Sequence, residues 1–576
     1  MDQKRLMVAI ALSLGIMLVF QYAFQKYLPH PAPVPVQSTA QVQAASGAPA
    51  NAASPAALAA ANGPRLAIDA PKLSGSVVLT GAVFDDVVLK NYHETIAPDS
   101  PLVQILGHRG GDKPSYAQFG WTAVGDVKVP DDTALWTASA GKLTPQTPVT
   151  LSWDNGQGLT FQLLLSVDDN YMFTVNQQVV NHTGAAVKLF PWSRVVRDYK
   201  PVEQTTYILF DGPLGVFNNT LKQESYKSLK ADGAQAPGGV AYSETSPGGW
   251  IGITDKYWLT AVAPDQSVNL TGSMSYGTVS DGDGSAYQTS FITAAPQTVA
   301  AGGTANLTSH LFTGAKVVKI LDAYQSEYGI PNFYKAVDFG HLYIITKPIF
   351  FALDWLNSLL GNFGLAIIVF TVGIKLLFFP LASYSYRSMG KMKLVQPKIK
   401  ALREQYKDDN TKIQQETMAL YKAEKINPAS GCLPMLVQIP VFFSLYKVIF
   451  ITIEMRQAPF FGWIHDLSVP DPTNLFNLFG LIPFDPTLIS PVLHIGALPI
   501  IMGFTMFMQQ RLNPAPADPV QARMFQFMPL IFTFMLARSP SGLVLYWAWN
   551  NLLSVGQQWL IMRQAGNPRV RVPAKI

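Results

Sequence analysis

Lys375 is the residue whose type and position most strongly suggest chemistry in this sequence. It lies within the apolar run 363–383, which is long enough to span a bilayer. A charged side chain at the centre of a spanning helix costs about 2.5–3.5 kcal/mol on insertion scales, and such residues usually face a partner or a water-filled cavity. If the run forms one straight helix, Lys375 lies about 12 Å from its end at Ser383, further than a snorkelling lysine reaches. We therefore predict water or polar side chains around the ammonium, with an ordinary snorkelling lysine as the alternative.

No combination of residues in the sequence indicates catalysis. It has no glycine-rich phosphate loop, no cluster with metal-ligand spacing and no nucleophile with a base nearby. We therefore expect no enzyme activity, no cofactor and no metal site. Cys432 is the single cysteine, so no intramolecular disulfide can form.

Length and composition predict several domains rather than one core. The chain has 576 residues, of which 48% are hydrophobic and 14% are charged, and a single core does not grow to this length. Lys4 and Arg5 precede the apolar run 6–24 with no small-residue cleavage site close behind it, which predicts an uncleaved transmembrane anchor over 1–28. The segment 29–64, rich in Pro, Ala and Ser, is typical of a flexible linker.

Residues 65–330 are predicted to form a large, supersandwich-like β-sandwich. Short runs rich in Val, Thr, Phe and Tyr alternate there with Gly, Asp, Asn and Pro turns. The runs 159–167 and 171–180 flank Asp168-Asp169-Asn170, which predicts a hairpin. The following segment, 334–360, mixes apolar and polar positions and fits an interfacial amphipathic helix.

The C-terminal part, 361–563, is predicted to be an α-helical transmembrane core with five spans. The apolar segments are 363–383, 432–454, 491–511, 524–538 and 542–562. The fold class is therefore a multi-domain membrane protein with an anchor helix, a periplasmic β-sandwich and a five-span helical core.

Loop charge predicts the orientation of this core. The net charge of +5 is unevenly distributed, because the segment 384–430 and the tail 564–576 are basic whereas the loop 455–490 has only Arg456 against three Asp. Both termini are therefore expected in the cytoplasm, and the β-sandwich on the opposite side, in a bacterial periplasm. Apolar residues recur at helical spacing within 384–430, which predicts a helical hairpin that projects from the membrane.

Several strings in the C-terminal half resemble the YidC family of membrane protein insertases. They are MGKMKLVQPKIKALREQY (389–406), AEKINPASGCLPMLVQIPVF (423–442), FFSLYKV (442–448), RQAPFFGWIHDLSVPDP (456–472), FMPLIFTF (527–534) and SPSGLVLYW (539–547). The order of segments is similar to the Gram-negative branch of this family. For 65–330 the resemblance rests on placement and on the string LTGAVFDDVVL (79–89).

The resemblance implies an insertase and folding chaperone for inner-membrane proteins, with a hydrophilic groove open to the cytoplasm and to lipid. The family usually has arginine where this chain has Lys375, and lysine keeps the charge but loses the planar bidentate fork. Candidate groove residues are Thr371, Lys375, Gln438, Tyr546 and Trp547, the last two matching the family's substrate-contacting aromatic positions. For Gln438 the alternative is an interhelical hydrogen bond, and for Tyr546 and Trp547 it is an interfacial belt or core packing.

The partners implied are newly made membrane proteins, the Sec translocon and membrane lipids. The basic hairpin and tail could in addition contact ribosomal RNA or anionic lipid heads, and the alternative is that their charge serves orientation alone. Candidate docking residues are Lys391, Lys393, Lys398, Lys400 and Arg403. Asn550 and Asn551 remain open between the groove and helix packing.

Two other function classes fit parts of the sequence. A membrane-anchored periplasmic carbohydrate-binding or carbohydrate-active protein would use the sandwich, whose tryptophans include Trp121, Trp136, Trp153, Trp192 and Trp250. Aromatic residues in a sandwich are more often core, and this hypothesis leaves five spans and a buried lysine unexplained. A small-solute transporter normally has inverted repeats, and the sequence contains no internal repeat.

Overall fold

The computed structural model describes eight stretches of the chain. They are 63–199, 209–278, 285–340, 342–406, 409–427, 433–490, 493–513 and 519–565. The predicted anchor over 1–28, nearly all of the linker 29–64 and most of the tail 564–576 lie outside the described residues.

Two large sheets of mostly antiparallel strands occupy residues 65–315. The strands are β1 (Arg65–Asp69), β2 (Leu73–Val78), β3 (Val83–His93), β4 (Leu102–Leu106), β5 (Ser115–Ala123), β6 (Thr137–Ala138), β7 (Lys142–Leu143), β8 (Val149–Asp154), β9 (Leu159–Val167), β10 (Met172–Asn181), β11 (Val187–Arg197), β12 (Gly212–Phe217), β13 (Thr220–Gln223), β14 (Val240–Pro247), β15 (Trp250–Thr254), β16 (Trp258–Pro264), β17 (Asn269–Thr278), β18 (Ser285–Thr293), β19 (Gln297–Val299) and β20 (Thr304–Ala315). One sheet has the order β14-β17-β18-β11-β5-β3-β2-β1-β7, with β19 on β11 and β4 on β3. The other has the order β13-β12-β15-β16-β20-β10-β9-β8-β6.

The two sheets share one apolar core, as expected for a β-sandwich. Phe84 and Phe173 come from different sheets and have ring centroids 5.4 Å apart, and the centroids of Trp121 and Phe161 are 5.1 Å apart. Strands β9 and β10 form the predicted hairpin. The carboxylate of Asp168 accepts hydrogen bonds from two backbone N–H groups of its turn, which explains why an Asp-rich turn suits this position.

The tryptophans considered for sugar binding pack into this sandwich. Trp121, Trp136 and Trp250 are buried, and Trp153 and Trp192 are half-buried. The Trp192 ring lies over Gly120, where a Cβ atom would come within 2.3 Å of it. The five residues therefore serve the core and do not form an exposed aromatic platform.

Helices make up most of the remainder. They are α1 (Tyr226–Gly233), between two strands, and then α2 (Val318–Glu327), α3 (Tyr343–Leu360), α4 (Phe363–Leu377), α5 (Phe379–Gln405), α6 (Asn410–Ala423), α7 (Leu433–Ile451), α8 (Ala497–Leu512), α9 (Pro519–Leu536) and α10 (Ser541–Ala565). Each of the last four coincides with a predicted apolar segment, at somewhat shifted bounds. Within the described residues no single helix is both long and apolar enough to cross a membrane, although the bent pair α4–α5 reaches that threshold together.

The amphipathic segment predicted over 334–360 begins as a helix only at Tyr343. A short turn at Phe333–Ala336 and an extended stretch come first. One face of α3 is buried, and its charged side chains pair with α2, with Lys319–Asp354 at 2.6 Å and Lys347–Asp322 at 2.8 Å. The helix is therefore tied to the end of the β-region.

The prediction of one straight helix over 363–383 is wrong. Helix α4 ends at Leu377, α5 starts at Phe379, and the two axes differ by 68°. Pro380 explains the break, because it lacks the N–H that would bond to the carbonyl of Leu376 and its ring crowds that carbonyl. Lys375 is consequently in the last turn of α4, rather than in the middle of a longer helix.

Helices α5 and α6 form the predicted hairpin. The side chain of Asp409 caps α6 by accepting a hydrogen bond from the N–H of Lys412 at 3.0 Å. Val395, Ile399 and Ile426 form a small buried cluster at the hairpin, which holds the two arms together.

Candidate functional site

The Lys375 ammonium bonds across to the last helix. Its Nζ atom donates a hydrogen bond to Ser554 Oγ on α10 at 2.7 Å. Ser554 is buried and itself donates to the carbonyl of Asn550 at 2.8 Å, so its hydroxyl oxygen is available to accept from Lys375. In the described part of the chain no carboxylate pairs with Lys375. The charge is half-buried and solvated by a hydroxyl rather than neutralised.

A cavity of about 40 Å³ adjoins this lysine on the inner side of the α4–α5 bend. Its polar lining comes from Lys375, Tyr386, Gln438 and Gln557, and the rest of the lining is apolar. A space of this size holds more than one water molecule. Residues on both sides of the bend, at the end of α4 and in the first turns of α5, line the cavity together with residues of α7 and α10.

Gln438 belongs both to this cavity and to an interhelical contact. Its Nε2 atom donates to the hydroxyl of Tyr546, which is buried on α10. The interhelical hydrogen bond considered as the alternative for Gln438 is thus present, and the side chain still contributes to the cavity wall.

Trp547 and Thr371 are placed away from the cavity. The Trp547 ring packs between Phe442 and Phe532, with centroid distances of 4.6 and 5.5 Å, which is the arrangement expected for core packing. Thr371 is buried, and its hydroxyl donates to the carbonyl of Ile367 in its own helix at 2.6 Å. A threonine that satisfies its hydroxyl in this way has no free donor to offer a neighbour.

Sequence reasoning missed Ser554 and Gln557, and it left the neighbouring asparagines undecided. These residues form a polar stripe on α10 whose members are Asn550, Asn551, Ser554, Gln557 and Gln558. Asn551 donates to Thr505 at 3.4 Å and Gln558 donates to Asn513 at 3.0 Å, so part of the stripe packs against α8 and its end. The i, i+4, i+7 spacing in an apolar helix is the signal that could have identified the stripe.

The five candidate docking residues of the hairpin differ in exposure. Lys391, Lys398 and Lys400 are exposed, whereas Lys393 and Arg403 are half-buried. Lys393 Nζ donates to the carbonyl of Leu512 at 3.2 Å, at the C-terminus of α8, where a positive charge is stabilising. Lys398 pairs with Glu424 at 2.6 Å between the two arms. Of these five candidates, Lys391 and Lys400 are the exposed ones that make no ion pair within the described residues.

Comparison with known proteins covers both regions of the chain. Residues 65–352 match the family model described as "YidC periplasmic domain", and residues 355–567 match the one described as "60Kd inner membrane protein". "Membrane protein insertase YidC" of Granulibacter bethesdensis is 56% identical over 99% of both chains, and that of Acidiphilium cryptum is 56% identical over 87% of this chain and 84% of the relative. A solved structure, "Active YidC insertase crystal structure with the first transmembrane domain resolved", has a TM-score of 0.34 and 18% identity, over 86% of this chain and 92% of that one. The chain belongs to the YidC family of membrane protein insertases, which are inner-membrane proteins with a periplasmic domain.

Proposed function

We propose that this insertase lowers the cost of membrane crossing through the polar pocket at Lys375, whose other polar lining residues are Tyr386, Gln438 and Gln557. Polar backbone and side chains have no hydrogen-bond partners in hydrocarbon, and each unpaired group costs several kcal/mol. A pocket that supplies partners during entry removes part of that cost. No covalent step is needed, and the family membership favours this function over the carbohydrate and transporter alternatives.

The observation that carries the proposal is an ammonium beside a cavity large enough for water, with no carboxylate paired to it in the described residues. Its charge is free to attract carbonyl or carboxylate oxygens of an incoming segment. The single bond from Lys375 to Ser554 needs one donor, so a point charge is sufficient where the family usually has arginine.

Substituting Lys375 tests this role. Lys375→Ala removes the charge and should impair growth of cells that depend on this protein for insertion, whereas Lys375→Arg should retain most of it. Leu376→Ala is the matched control, because Leu376 is the next residue on the same helix and is 66% exposed. Immunoblots establish equal membrane levels, and normal growth of the Lys375→Ala strain at wild-type levels contradicts the proposal.

Photocrosslinking separates insertion from the other function classes. A photoreactive residue at position 375 should crosslink to a stalled nascent membrane protein, and one at position 376 should crosslink to it much less. A crosslink of equal yield from both positions would mean that the chain passes over the surface and not through the pocket.

The exposed lysines of the hairpin support a second part of the proposal. Lys391 and Lys400 project from a helical arm in a segment that is expected in the cytoplasm, where ribosomal RNA and anionic lipid heads are the abundant polyanions. Partnership with the Sec translocon and a cytoplasmic location of both termini belong to the same proposal. Loss of ribosome co-sedimentation in a Lys391→Ala/Lys400→Ala variant would support docking, and unchanged co-sedimentation would contradict it.

A further inference from the structure

The loop between α7 and α8 exposes large apolar side chains. We call residues 473–490 the apolar loop. Its exposed members are Leu475, Phe476, Leu478, Phe479, Leu481, Ile482, Phe484, Leu488 and Ile489. Leu481 is 84% exposed and Leu488 is 81% exposed. A contiguous apolar surface of this kind indicates contact with protein or membrane rather than water.

Charge is almost absent from the apolar loop. Asp485 is the only charged residue between Asp471 and His494. Loops that face water usually combine polar and charged residues with their turns, whereas this one consists mainly of Leu, Ile, Phe, Pro and Asn. This composition favours an apolar environment around the loop over water.

The apolar loop also satisfies many of its backbone groups internally. The Asn477 side chain accepts from the N–H of Gly480 at 2.9 Å and donates to the carbonyl of Phe484 at 3.3 Å. The carbonyl of Asn474 accepts from Phe479 N at 2.8 Å, and the carbonyl of Asn477 accepts from Ile482 N at 3.1 Å. Backbone groups paired in this way can leave water at a lower cost.

Two consecutive bulky residues of the loop have positive φ angles. Leu478 has φ 50° and Phe479 has φ 58°, a conformation that β-carbon-bearing residues adopt at a free-energy cost. Both side chains are exposed. A strained backbone that presents apolar side chains outward indicates that their exposure is used.

The base of the apolar loop is rigidly held. Asp471 is buried, and its carboxylate accepts hydrogen bonds from the backbone N–H of Leu498 at 2.7 Å and from the Trp463 indole at 3.3 Å. On the same side of α7, Arg456 donates to the carbonyl of Glu94 in the periplasmic domain at 3.0 Å. The connection that carries the apolar loop therefore leaves α7 at the end that faces this domain.

We propose that the apolar loop inserts into lipid, at the hydrocarbon boundary of the leaflet that faces the periplasmic domain. The choice of this leaflet rests on the proposed orientation, in which both termini are in the cytoplasm. The proposal does not depend on the pocket at Lys375. The loop lies within the connection between two apolar helices, α7 and α8, and we therefore expect it where a bilayer begins. The loop has a single charged residue, Asp485, an internally bonded backbone and an apolar outer surface, which is the chemistry of a segment that lies in a membrane interface. The partner that we assign to the apolar loop is therefore lipid.

Collision accessibility of a spin label tests this in the full chain. Cys432→Ser removes the single cysteine, and Leu481→Cys or Leu488→Cys then carries a nitroxide in nanodiscs that contain one chain each. Leu135→Cys is the matched control, because Leu135 is an apolar residue that is 58% exposed on the periplasmic domain. The ratio of collisions with oxygen to collisions with a polar nickel chelate should be at least about fivefold higher at 481 and 488 than at 135, because the chelate is excluded from hydrocarbon.

Each outcome decides the proposal. A ratio at 481 and 488 equal to that at 135 places the loop in water and overturns it. Low collision with both reagents means that protein covers the loop, and this also overturns it. The same measurements in a Lys375→Ala background should give unchanged ratios, so a failure of the pocket proposal leaves this one standing, and the reverse also holds.

Discussion

The periplasmic domain and the helical region differ in the large apolar side chains that they expose, which are few in the first and many in the second. In the sandwich, Phe84 and Phe161 are fully buried between sheets, and the burial of apolar surface stabilises the fold. In the helical region, Gln558 and Ser554 are buried, while large apolar residues such as Leu377 and Phe504 are exposed. One region is arranged for water outside and the other for lipid outside, where helices associate through packing and hydrogen bonds. Buried polar groups occur in both regions, among them Gln177 and Arg197 in the sandwich, so the difference lies in the apolar side chains that each region exposes.

The largest expected effect is the loss of stability when a buried leucine in the core of the sandwich is truncated. Leu163 on β9 is fully buried, and Leu163→Ala should lower the free energy of unfolding by about 2–5 kcal/mol, because it leaves a cavity. Leu164 is the next residue on the same strand and is 36% exposed, so Leu164→Ala should cost less than about 1 kcal/mol. Urea unfolding followed by tryptophan fluorescence measures both, and equal losses would contradict the burial pattern.

A smaller effect tests the polar interior of the helical region. Tyr546→Phe leaves the Gln438 amide without its hydroxyl partner and should cost about 1–2 kcal/mol of stability in detergent. The double variant Gln438→Met/Tyr546→Phe should recover part of the loss, because neither partner is then left unpaired. A double-mutant cycle on thermal unfolding measures the coupling. Additive losses in the cycle would mean that the two side chains do not interact.

The smallest effect concerns an ion pair on the surface of the sandwich. Hydrogen bonds and charge from Lys142 and Lys90 hold the pKa of the Asp69 carboxyl at about 2, below its usual 3.8. A lowered pKa contributes stability that is present above about pH 4 and is lost as the pH falls through about 2. The difference in Tm between wild type and Asp69→Asn should therefore shrink from pH 4 to pH 2. A difference that stays constant over this range would contradict the ion pair.

Local patterns were sufficient to predict one β-hairpin and most of the C-terminal helices. Alternating residues around Asp168 predicted the β9–β10 hairpin, and helical spacing within 384–430 predicted α5 and α6. The strand order of the two sheets and the α3–α2 ion pairs could not be read in this way, because they depend on residues far apart in sequence. The bend at Phe378 had a local signal in Pro380, but the continuous apolar run favoured one long helix.

The candidate site was predicted in part, for a similar reason. Lys375 and Gln438 stand out as polar residues in apolar segments, and the structure brings both to one cavity. Ser554 did not stand out, because a serine is inconspicuous until the helix that faces it is known. Thr371 shares a helix with Lys375 but satisfies its hydroxyl locally, an outcome that spacing alone does not reveal.

The bend at Phe378 has a mechanical consequence. Helix α5 has 27 residues and is the first arm of the hairpin, so it extends about 40 Å from that hinge. A rotation of about 10° there displaces the far end of the arm by about 7 Å over that length, while the ammonium one turn before the hinge barely moves. Because the first turns of α5 also line the cavity, a force applied at the hairpin tip would act on the cavity wall through this length.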